Sequence, residues 1–135
     1  MLLLDTSVVR KYSRPSPDEA VVAYLKAHAS DVRVTSATVA SEYLSYYDDQ
    51  SAVRRQRRHL ESIFQRIYRL TTDVAVETAR LRLLLTDQEA SLNRADLLHL
   101  AAASEIGATF VTAGASEFDR PEIHGLVDVD IIDVS

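Results

Sequence analysis

The 135-residue chain carries a formal net charge of −5 at pH 7 and contains no cysteine. Its length predicts a single domain, residues 1–135, with a hydrophobic core of its own. The lack of cysteine excludes a disulfide framework, a thiolate nucleophile and a sulfur-ligated metal. The negative charge argues against nucleic-acid binding by bulk positive charge, but it allows a carboxylate-held divalent metal and a local basic patch.

Membrane and secretory segments are not expected. The longest apolar runs are far shorter than a membrane span. The chain also begins at once on what reads as a core strand, which leaves no room for a signal peptide. We therefore expect a cytoplasmic protein that does not contact a membrane.

The first predicted strand ends on a carboxylate. Residues 1–4 form a short apolar run that is typical of a buried parallel strand, and Asp5, Thr6 and Ser7 follow it directly. In an open α/β sheet, ligands bind at the carboxyl ends of the strands. Asp5 is therefore a candidate site residue. The alternative, in which Asp5 or Ser7 only caps the next helix, stays open at this point.

The rest of the chain alternates helical periodicity with short apolar runs. We predict helices over 8–12, 18–29, 36–47, 51–67, 73–87 and 93–106, and strands over 32–35, 68–70, 108–112 and 127–134. This order predicts a three-layer α/β/α sandwich with a mainly parallel central sheet. The last strand alternates polar and apolar residues, which suits an edge position. Three glycines are too few for a glycine-rich phosphate loop.

Two acidic residues lie on predicted helices where their roles are ambiguous. Glu42 lies at the edge of the apolar stripe of the helix over 36–47, so it is either a site residue or an ordinary boundary glutamate. Asp96 lies in the first turn of the apolar helix over 93–106. It either forms a capping box with Asn93 or contributes to a site. Gly107 is the expected end of this helix.

Two helix faces are candidate interaction surfaces. Arg54, Arg55 and Arg58 form the densest basic cluster of the chain, which is either a solvated face or a rim that contacts RNA or an acidic partner. The helix over 73–87 has two apolar stripes on nearly opposite sides. One stripe comprises Val76, Ala79 and Leu83, and the other comprises Val74, Leu81 and Leu85. A helix that is apolar on both sides predicts a dimer or partner surface, and we expect Leu81 and Leu85 to belong to it.

Three or four acidic residues from remote parts of the chain are expected to meet at one edge of the sheet. The candidates are Asp5, Glu42, Asp96, Glu117 and Asp119. Crowded carboxylates repel one another and take up protons unless a hard divalent cation lies between them. Such a cation activates water and stabilises charge on a phosphate, which indicates phosphodiester hydrolysis. The four histidines show no spacing typical of a metal site.

Four motifs together resemble the PIN-domain ribonucleases, and most closely the VapC-type toxins of toxin–antitoxin pairs. The motifs are Asp5-Thr6-Ser7, Glu42, the segment 96–103, and Phe110-Val111-Thr112 followed by Glu117-Phe118. The resemblance extends over essentially the whole chain. It implies an endoribonuclease that depends on Mg²⁺ or Mn²⁺, forms a homodimer and is blocked by a cognate antitoxin.

The resemblance also implies roles for individual residues. Asp5, Glu42 and Asp96 would hold the metal, with support from Thr6 or Ser7 and from Thr112. Many members have Asn or Asp where this chain has Gly114, two residues after that threonine. Glu117 is therefore the candidate fourth catalytic carboxylate, with Asp119 behind it.

Two other enzyme classes that place an aspartate after the first strand fit less well. A haloacid-dehalogenase-type phosphatase needs a second aspartate where this chain has Ser7, and a receiver domain needs a lysine near the last strands, whereas Lys26 is the last lysine. The remaining alternative is a PIN fold kept as an RNA- or protein-binding module with a weakened catalytic site. Gly114 is the residue that favours this alternative.

Overall fold

A computed structural model of the chain describes residues 1–114 and 117–134. Within these residues there are five strands: β1 (Leu2–Leu4), β2 (Arg33–Ser36), β3 (Arg66–Tyr68), β4 (Thr109–Ala113) and β5 (Val129–Ile132). The same residues contain seven helices: α1 (Thr6–Tyr12), α2 (Glu19–Ala27), α3 (Ala37–Leu44), α4 (Gln50–Ile63), α5 (Thr72–Asp87), α6 (Arg94–Ile106) and α7 (Pro121–His124).

The strands form one parallel sheet in the order β3-β2-β1-β4-β5, flanked by the helices. Leu3 at the centre pairs with Val34 on one side and with Phe110 on the other. The predicted α/β fold with a parallel sheet is thereby confirmed, as is the edge position of the last strand. The chain runs outward from β1 through β2 to β3 and then returns to β4, so β1 and β4 flank a switch point of the kind where α/β proteins bind ligands.

Burial follows the apolar pattern of each element. All three residues of β1 are buried, as expected for a central strand covered on both faces. On α5 the stripe of Val74, Leu81 and Leu85 is buried, whereas Val76 and Leu83 on the opposite side are 63% and 55% exposed. The exposed apolar face of α5 is therefore the stripe with Val76 and Leu83. The prediction that Leu81 and Leu85 form a partner surface is wrong, because both are buried in the protein's own core.

The predicted end of α4 is wrong by four residues. The helix ends at Ile63, and the extended backbone of Phe64 leads into β3 two residues earlier than predicted. Pairing of Val34 with Arg66 begins there. Because residues 60–70 carry apolar side chains at both helical and strand spacing, the sequence pattern does not locate this boundary.

The caps of the helices were predicted in part. The side chains of Ser36 and Asn93 accept hydrogen bonds from the backbone N–H groups of the first turns of α3 and α6. Gly107 ends α6 in the left-handed conformation, with φ of 68°, which favours glycine. The caps of α4 and α5 are Asp49 and Thr71, each two residues before the predicted start of its helix.

Three smaller differences concern lengths. α2 ends at Ala27, α3 ends at Leu44 and β5 covers only Val129–Ile132. The short helix α7, which begins with Pro121 in its first turn, was not predicted. Residues 113–116, after the predicted strand over 108–112, are expected to form a loop. Residue 113 instead belongs to β4, and residues 115 and 116 lie outside the described residues. Among the described residues, every helix is too short or too polar to span a lipid bilayer.

Candidate metal centre

Asp5 occupies the first position after the central strand, at the switch point of the sheet. Its side chain is only 7% exposed and makes no capping hydrogen bond to α1, so the capping alternative is wrong for the Asp5 carboxylate. Instead, Thr112 Oγ1 of β4 donates a hydrogen bond of 2.9 Å to Asp5 Oδ2. Ser7 Oγ lies 3.3 Å from the same oxygen and 3.1 Å from Thr112 Oγ1. Two hydroxyl groups therefore fix the orientation of this buried carboxylate.

Asp5 and Glu42 form a compact cluster with His99. Each residue offers one potential ligand atom, and these atoms lie within 4.8 Å of one another. The buried His99 ring bridges α6 and α3, because Nε2 lies 3.4 Å from Glu42 Oε2 and Nδ1 lies 3.1 Å from Thr38 Oγ1. His99 was not predicted as a site residue. The one sequence signal that could have identified it is its spacing of three residues from Asp96, which places both residues on one helix face.

Asp96 lies beside this cluster rather than among its three ligand atoms. Its backbone N–H donates to the Asn93 side chain at 2.8 Å, so the predicted N-cap is present. Within residues 1–114 and 117–134, however, its carboxylate accepts no hydrogen bond that would complete a capping box. Burial raises the pKa of Asp96, and the negative charges of Asp5, Glu117 and Glu42 raise it further. Asp96 therefore faces the other acids at the start of α6.

The electrostatics of the cluster show that these carboxylates compete for protons. Burial raises the pKa of Asp5; the hydrogen bond from Thr112 and the charge of His99 only partly oppose this effect, and the charge of Glu42 adds to it. Burial also acts to raise the pKa of Glu42. That effect is outweighed by Thr6, by His99 and by the Arg10 guanidinium, so the pKa of Glu42 is lowered. Glu42 is the more exposed carboxylate, with 41% of its side chain accessible.

The two acids predicted after β4 lie in different surroundings. Glu117 is exposed and near enough to raise the pKa of Asp96, so it borders the cluster. Asp119, predicted as a supporting residue, instead contacts His124, whose Nε2 lies 2.9 Å from Asp119 Oδ1. The structure therefore gives the Asp119 carboxylate an exposed hydrogen-bonding partner in His124.

The three predicted rim arginines lie on the exposed face of α4. Arg54, Arg55 and Arg58 are all exposed, and Arg55 donates a hydrogen bond of 2.9 Å to Ser51 Oγ. A basic residue that sequence reasoning missed lies closer to the acids. Arg10 of α1 donates to the backbone carbonyl of Glu42 at 3.5 Å and lowers the pKa of the Glu42 carboxyl.

Comparison with known proteins decides the family of this fold. The family model of the PIN domain matches residues 2–123. The chain belongs to the PIN-domain family. The predicted resemblance is thereby confirmed at the level of the family. A search of curated proteins finds no match.

Solved structures similar to this PIN domain come from toxin–antitoxin complexes and toxins. FitAcB from Neisseria gonorrhoeae is 25% identical, with a TM-score of 0.73 and coverage of 96% of each chain. VapBC2 from Rickettsia felis, solved with a DNA fragment from its promoter, is 19% identical, with a TM-score of 0.76 and coverage of 96% of this chain and 97% of the other. VapC20 from Mycobacterium tuberculosis, a toxin that cleaves the sarcin-ricin loop, is 18% identical, with a TM-score of 0.65 and coverage of 96% and 98%.

The donor set of this PIN domain fits a hard divalent cation. Two carboxylates, Asp5 and Glu42, converge with the imidazole of His99, and carboxylate oxygens are ligands that hard divalent cations prefer. The Thr6 hydroxyl lies against the Glu42 carboxylate, yet it is buried without a hydrogen-bond partner of ordinary geometry among the described residues. Buried polar atoms are normally satisfied, so this orphaned oxygen indicates that a further polar group belongs in the cluster.

The structure also explains why this PIN domain has glycine at position 114. Gly114 has φ of 65°, and a Cβ atom there would lie 2.8 Å from Val134 Cγ2. An Asn or Asp at this position would therefore require a left-handed backbone and displacement of Val134. Any fourth acid of the cluster has to come from elsewhere in the chain.

Proposed function

We propose that this protein is a metal-dependent endoribonuclease that hydrolyses RNA phosphodiester bonds and acts as the toxin of a type II toxin–antitoxin pair. The observation that carries the proposal is the convergence of Asp5 and Glu42 within 4.8 Å, beside Asp96, at the switch point of a parallel sheet. The PIN-domain family match supports it. So does the similarity to a VapC toxin that cleaves the sarcin-ricin loop.

Asp5, Glu42 and Asp96 would hold Mg²⁺ or Mn²⁺ in this proposal. When bound, a divalent cation supplies a Lewis acid that activates water and stabilises charge on the phosphate. Thr112 and Ser7 keep the Asp5 carboxylate in one orientation, because both hydroxyls contact its Oδ2. His99 supports Glu42 in a similar way, since its Nε2 lies 3.4 Å from Glu42 Oε2. Such support keeps ligand oxygens in place before the cation and substrate arrive.

Glu117 is the proposed fourth carboxylate. It borders Asp96 from the segment after β4, and its exposed side chain can approach a substrate at the edge of the cluster. Asp5, by contrast, is buried and pre-oriented. The RNA would therefore approach from the side of Glu42 and Glu117, while Asp5 anchors the cluster from below. Arg54, Arg55 and Arg58 remain candidates for a more distant contact with RNA or partner.

The proposed partners follow from the same reasoning. A cognate antitoxin would bind and block the site, in line with the toxin–antitoxin complexes among the similar structures. A second copy of the chain would cover the exposed apolar face of α5, where Val76 and Leu83 are accessible. A toxin that cleaves RNA in this way would act in the cytoplasm.

Metal titration combined with RNA cleavage tests the proposal. Wild-type protein should bind Mn²⁺ in isothermal titration calorimetry and cut RNA only when Mg²⁺ or Mn²⁺ is present. Asp5→Asn and Asp96→Asn should stay folded and lose both properties. Asp119→Asn is the matched control, because its carboxylate contacts His124 and not the cluster. Cleavage that survives in Asp5→Asn would refute the proposed site.

A second function is favoured by Gly114. This residue removes the polar side chain that many relatives have after the fourth strand, so the fold would persist as an RNA- or protein-binding module with a weakened site. The same experiment separates the two functions. Binding of RNA or of a partner protein without Mn²⁺ binding and without cleavage would favour the module.

A further inference from the structure

An aromatic and basic cleft of about 300 Å³ is lined in part by Arg10, which also contacts the backbone carbonyl of Glu42. The ends of α1 and α3 form it, and its walls include Arg10, Arg14, Tyr43, Tyr46 and Tyr47. Its volume is at the lower end of the range of about 300–1,000 Å³ that small-molecule sites have. The cleft is therefore suited to a single planar group rather than to a large ligand.

Tyr46 presents an unusually open ring in this cleft. Its side chain is 70% exposed, yet the ring is held in place by two neighbours. It packs edge-on against Tyr47, with centroids 5.6 Å apart and planes at 87°, and the Arg10 guanidinium lies 5.3 Å from its centroid. An exposed aromatic ring that is already ordered loses little conformational entropy when it binds a second ring.

The wall behind Tyr46 is rigid and uncharged. Tyr43 donates a 2.7 Å hydrogen bond to Gln56 of α4, and its hydroxyl lies 3.1 Å from that of Tyr47. Burial and the hydrogen bond to Tyr43 raise the pKa of Tyr47 to about 12, so its hydroxyl is neutral at physiological pH. The aromatic wall therefore does not repel an approaching anion, while Arg10 and Arg14 attract one.

Arg10 connects the cleft to the catalytic acids. Its guanidinium contacts the Tyr46 ring on one side and the backbone carbonyl of Glu42 on the other, at 3.5 Å. Its charge helps to lower the pKa of the Glu42 carboxyl, and it partly opposes the rise in the pKa of the Tyr47 hydroxyl. A group bound in the cleft would consequently lie close to a substrate phosphate that binds near Glu42.

We propose that this cleft is a nucleobase subsite of the RNA substrate. An unpaired base next to the cleaved phosphate stacks on Tyr46, and Arg10 and Arg14 contact the backbone phosphates that flank it. Stacking on aromatic rings is how proteins bind single strands without base-pairing, and phosphate contacts fix the register. The inference rests on the proposed ribonuclease function and assigns to Tyr46 the contact with one unpaired base of the substrate.

Variants of Tyr46 test the subsite. Binding of a short single-stranded RNA of mixed sequence is measured by fluorescence anisotropy in the Asp5→Asn background, so that the RNA is not cut. Tyr46→Ala should weaken binding by roughly 5- to 150-fold, whereas Tyr46→Phe, which keeps the ring, should stay within about twofold of the parent. Val32→Ala removes another exposed apolar side chain, which lies just before the first residue of β2, and RNA binding should not change.

An RNA with abasic positions distinguishes stacking from indirect effects. Removing bases should weaken binding to the parent, but should have little further effect on Tyr46→Ala, since the lost contact is the same. Arg14→Gln should lower affinity for all RNA sequences and reduce the slope of the salt dependence by about one. In the cleavage assay with otherwise wild-type protein, Tyr46→Ala should raise KM more than it lowers kcat.

The outcomes separate this inference from the proposed function. If wild-type protein cleaves RNA but Tyr46→Ala binds and cleaves normally, the subsite is refuted and the nuclease stands. The subsite is likewise refuted if base removal and Tyr46→Ala have additive effects, or if Tyr46→Ala weakens only the binding of a partner protein. If wild-type protein binds no Mn²⁺ and cleaves no RNA, the proposed function fails first.

Discussion

Replacing Asp5 with asparagine is expected to stabilise the metal-free protein while abolishing metal binding. The Asp5 carboxylate is buried, and its pKa is raised because burial disfavours the ionised form. Asparagine has nearly the same shape and keeps an oxygen that can accept the hydrogen bond from Thr112. The substitution therefore removes a destabilising charge without leaving a cavity.

The magnitude follows from the geometry of the cluster. At 4.8 Å, the limit of the separation between the ligand atoms of Asp5 and Glu42, two unit charges repel by about 3.5 kcal/mol at an effective dielectric constant of 20. Solvent screens part of this, because the Glu42 side chain is 41% exposed. The hydrogen bond from Thr112 is weaker to the neutral amide oxygen of the variant than to the Asp5 carboxylate, and this lowers the gain in stability by about 1 kcal/mol. A net gain of about 1–2 kcal/mol remains, which raises Tm by roughly 3–7 °C for a chain of this size.

The pH dependence of this gain has a definite sign. Because the pKa of Asp5 is raised in the folded state, the wild type loses stability as pH rises from about 3.9, the ordinary aspartate value, through the raised folded pKa. The variant lacks this loss. The difference between the two proteins should therefore be full once the pH has risen past the raised pKa of Asp5, and it should vanish below about pH 3.9.

Thermal unfolding in EDTA and in Mn²⁺ measures both effects. Mn²⁺ should stabilise the wild type, by about 2.7 kcal/mol at a hundred times Kd, and should leave Asp5→Asn unchanged. Asp119→Asn, whose carboxylate contacts His124 at the surface, should change stability by less than about 0.5 kcal/mol. An Asp5→Asn protein that melts below the wild type in EDTA would show that burial and the Glu42 charge do not make the Asp5 charge destabilising, and would refute the reasoning.

Three further expectations concern other parts of the molecule. Glu77→Gln should lower stability by about 1–2 kcal/mol at pH 7, because the hydrogen bond from Arg80 lowers the pKa of Glu77; in urea unfolding the loss should disappear as pH falls through that lowered pKa, and a constant loss would contradict it. His99→Gln should weaken Mn²⁺ binding by about 10–100-fold in calorimetry, since the ring orients a ligand carboxylate; an unchanged Kd would remove that role. The double variant Val76→Glu and Leu83→Glu should convert a dimer to a monomer in light scattering, and an unchanged mass would exclude this face of α5 as the dimer surface.

Much of the fold was predictable because burial imposes simple patterns. The apolar residues of β1, followed at once by a carboxylate, indicated a central parallel strand that delivers Asp5 to an edge of the sheet. Parallel sheets place the carboxyl ends of their strands together, so acids that follow different strands were expected to meet. The placement of Asp5 near Glu42 agrees with that expectation, and their metal-binding role remains a proposal.

The rest of the site depends on side-chain directions that spacing does not determine. His99 lies in an apolar helix, where a buried histidine reads as an ordinary core residue, and only the structure shows that its ring lies between Thr38 and Glu42. Arg10 is one of many arginines in the sequence, and its contact with Glu42 crosses from α1 to α3. Asp119 matched the expected spacing, but a partner five residues away, His124, captures its carboxylate.

The position of β4 beside β1 has a consequence for when the protein acquires activity. Thr112, which orients Asp5, lies 107 positions further along the chain, and the strand that carries it pairs directly with the first strand. During synthesis, the Asp5 carboxylate has no hydrogen bond from Thr112 until β4 has been made and has paired with β1. A chain that ends before β4 therefore lacks the hydroxyl that orients Asp5, and the proposed nuclease activity is expected only after β4 has paired with β1.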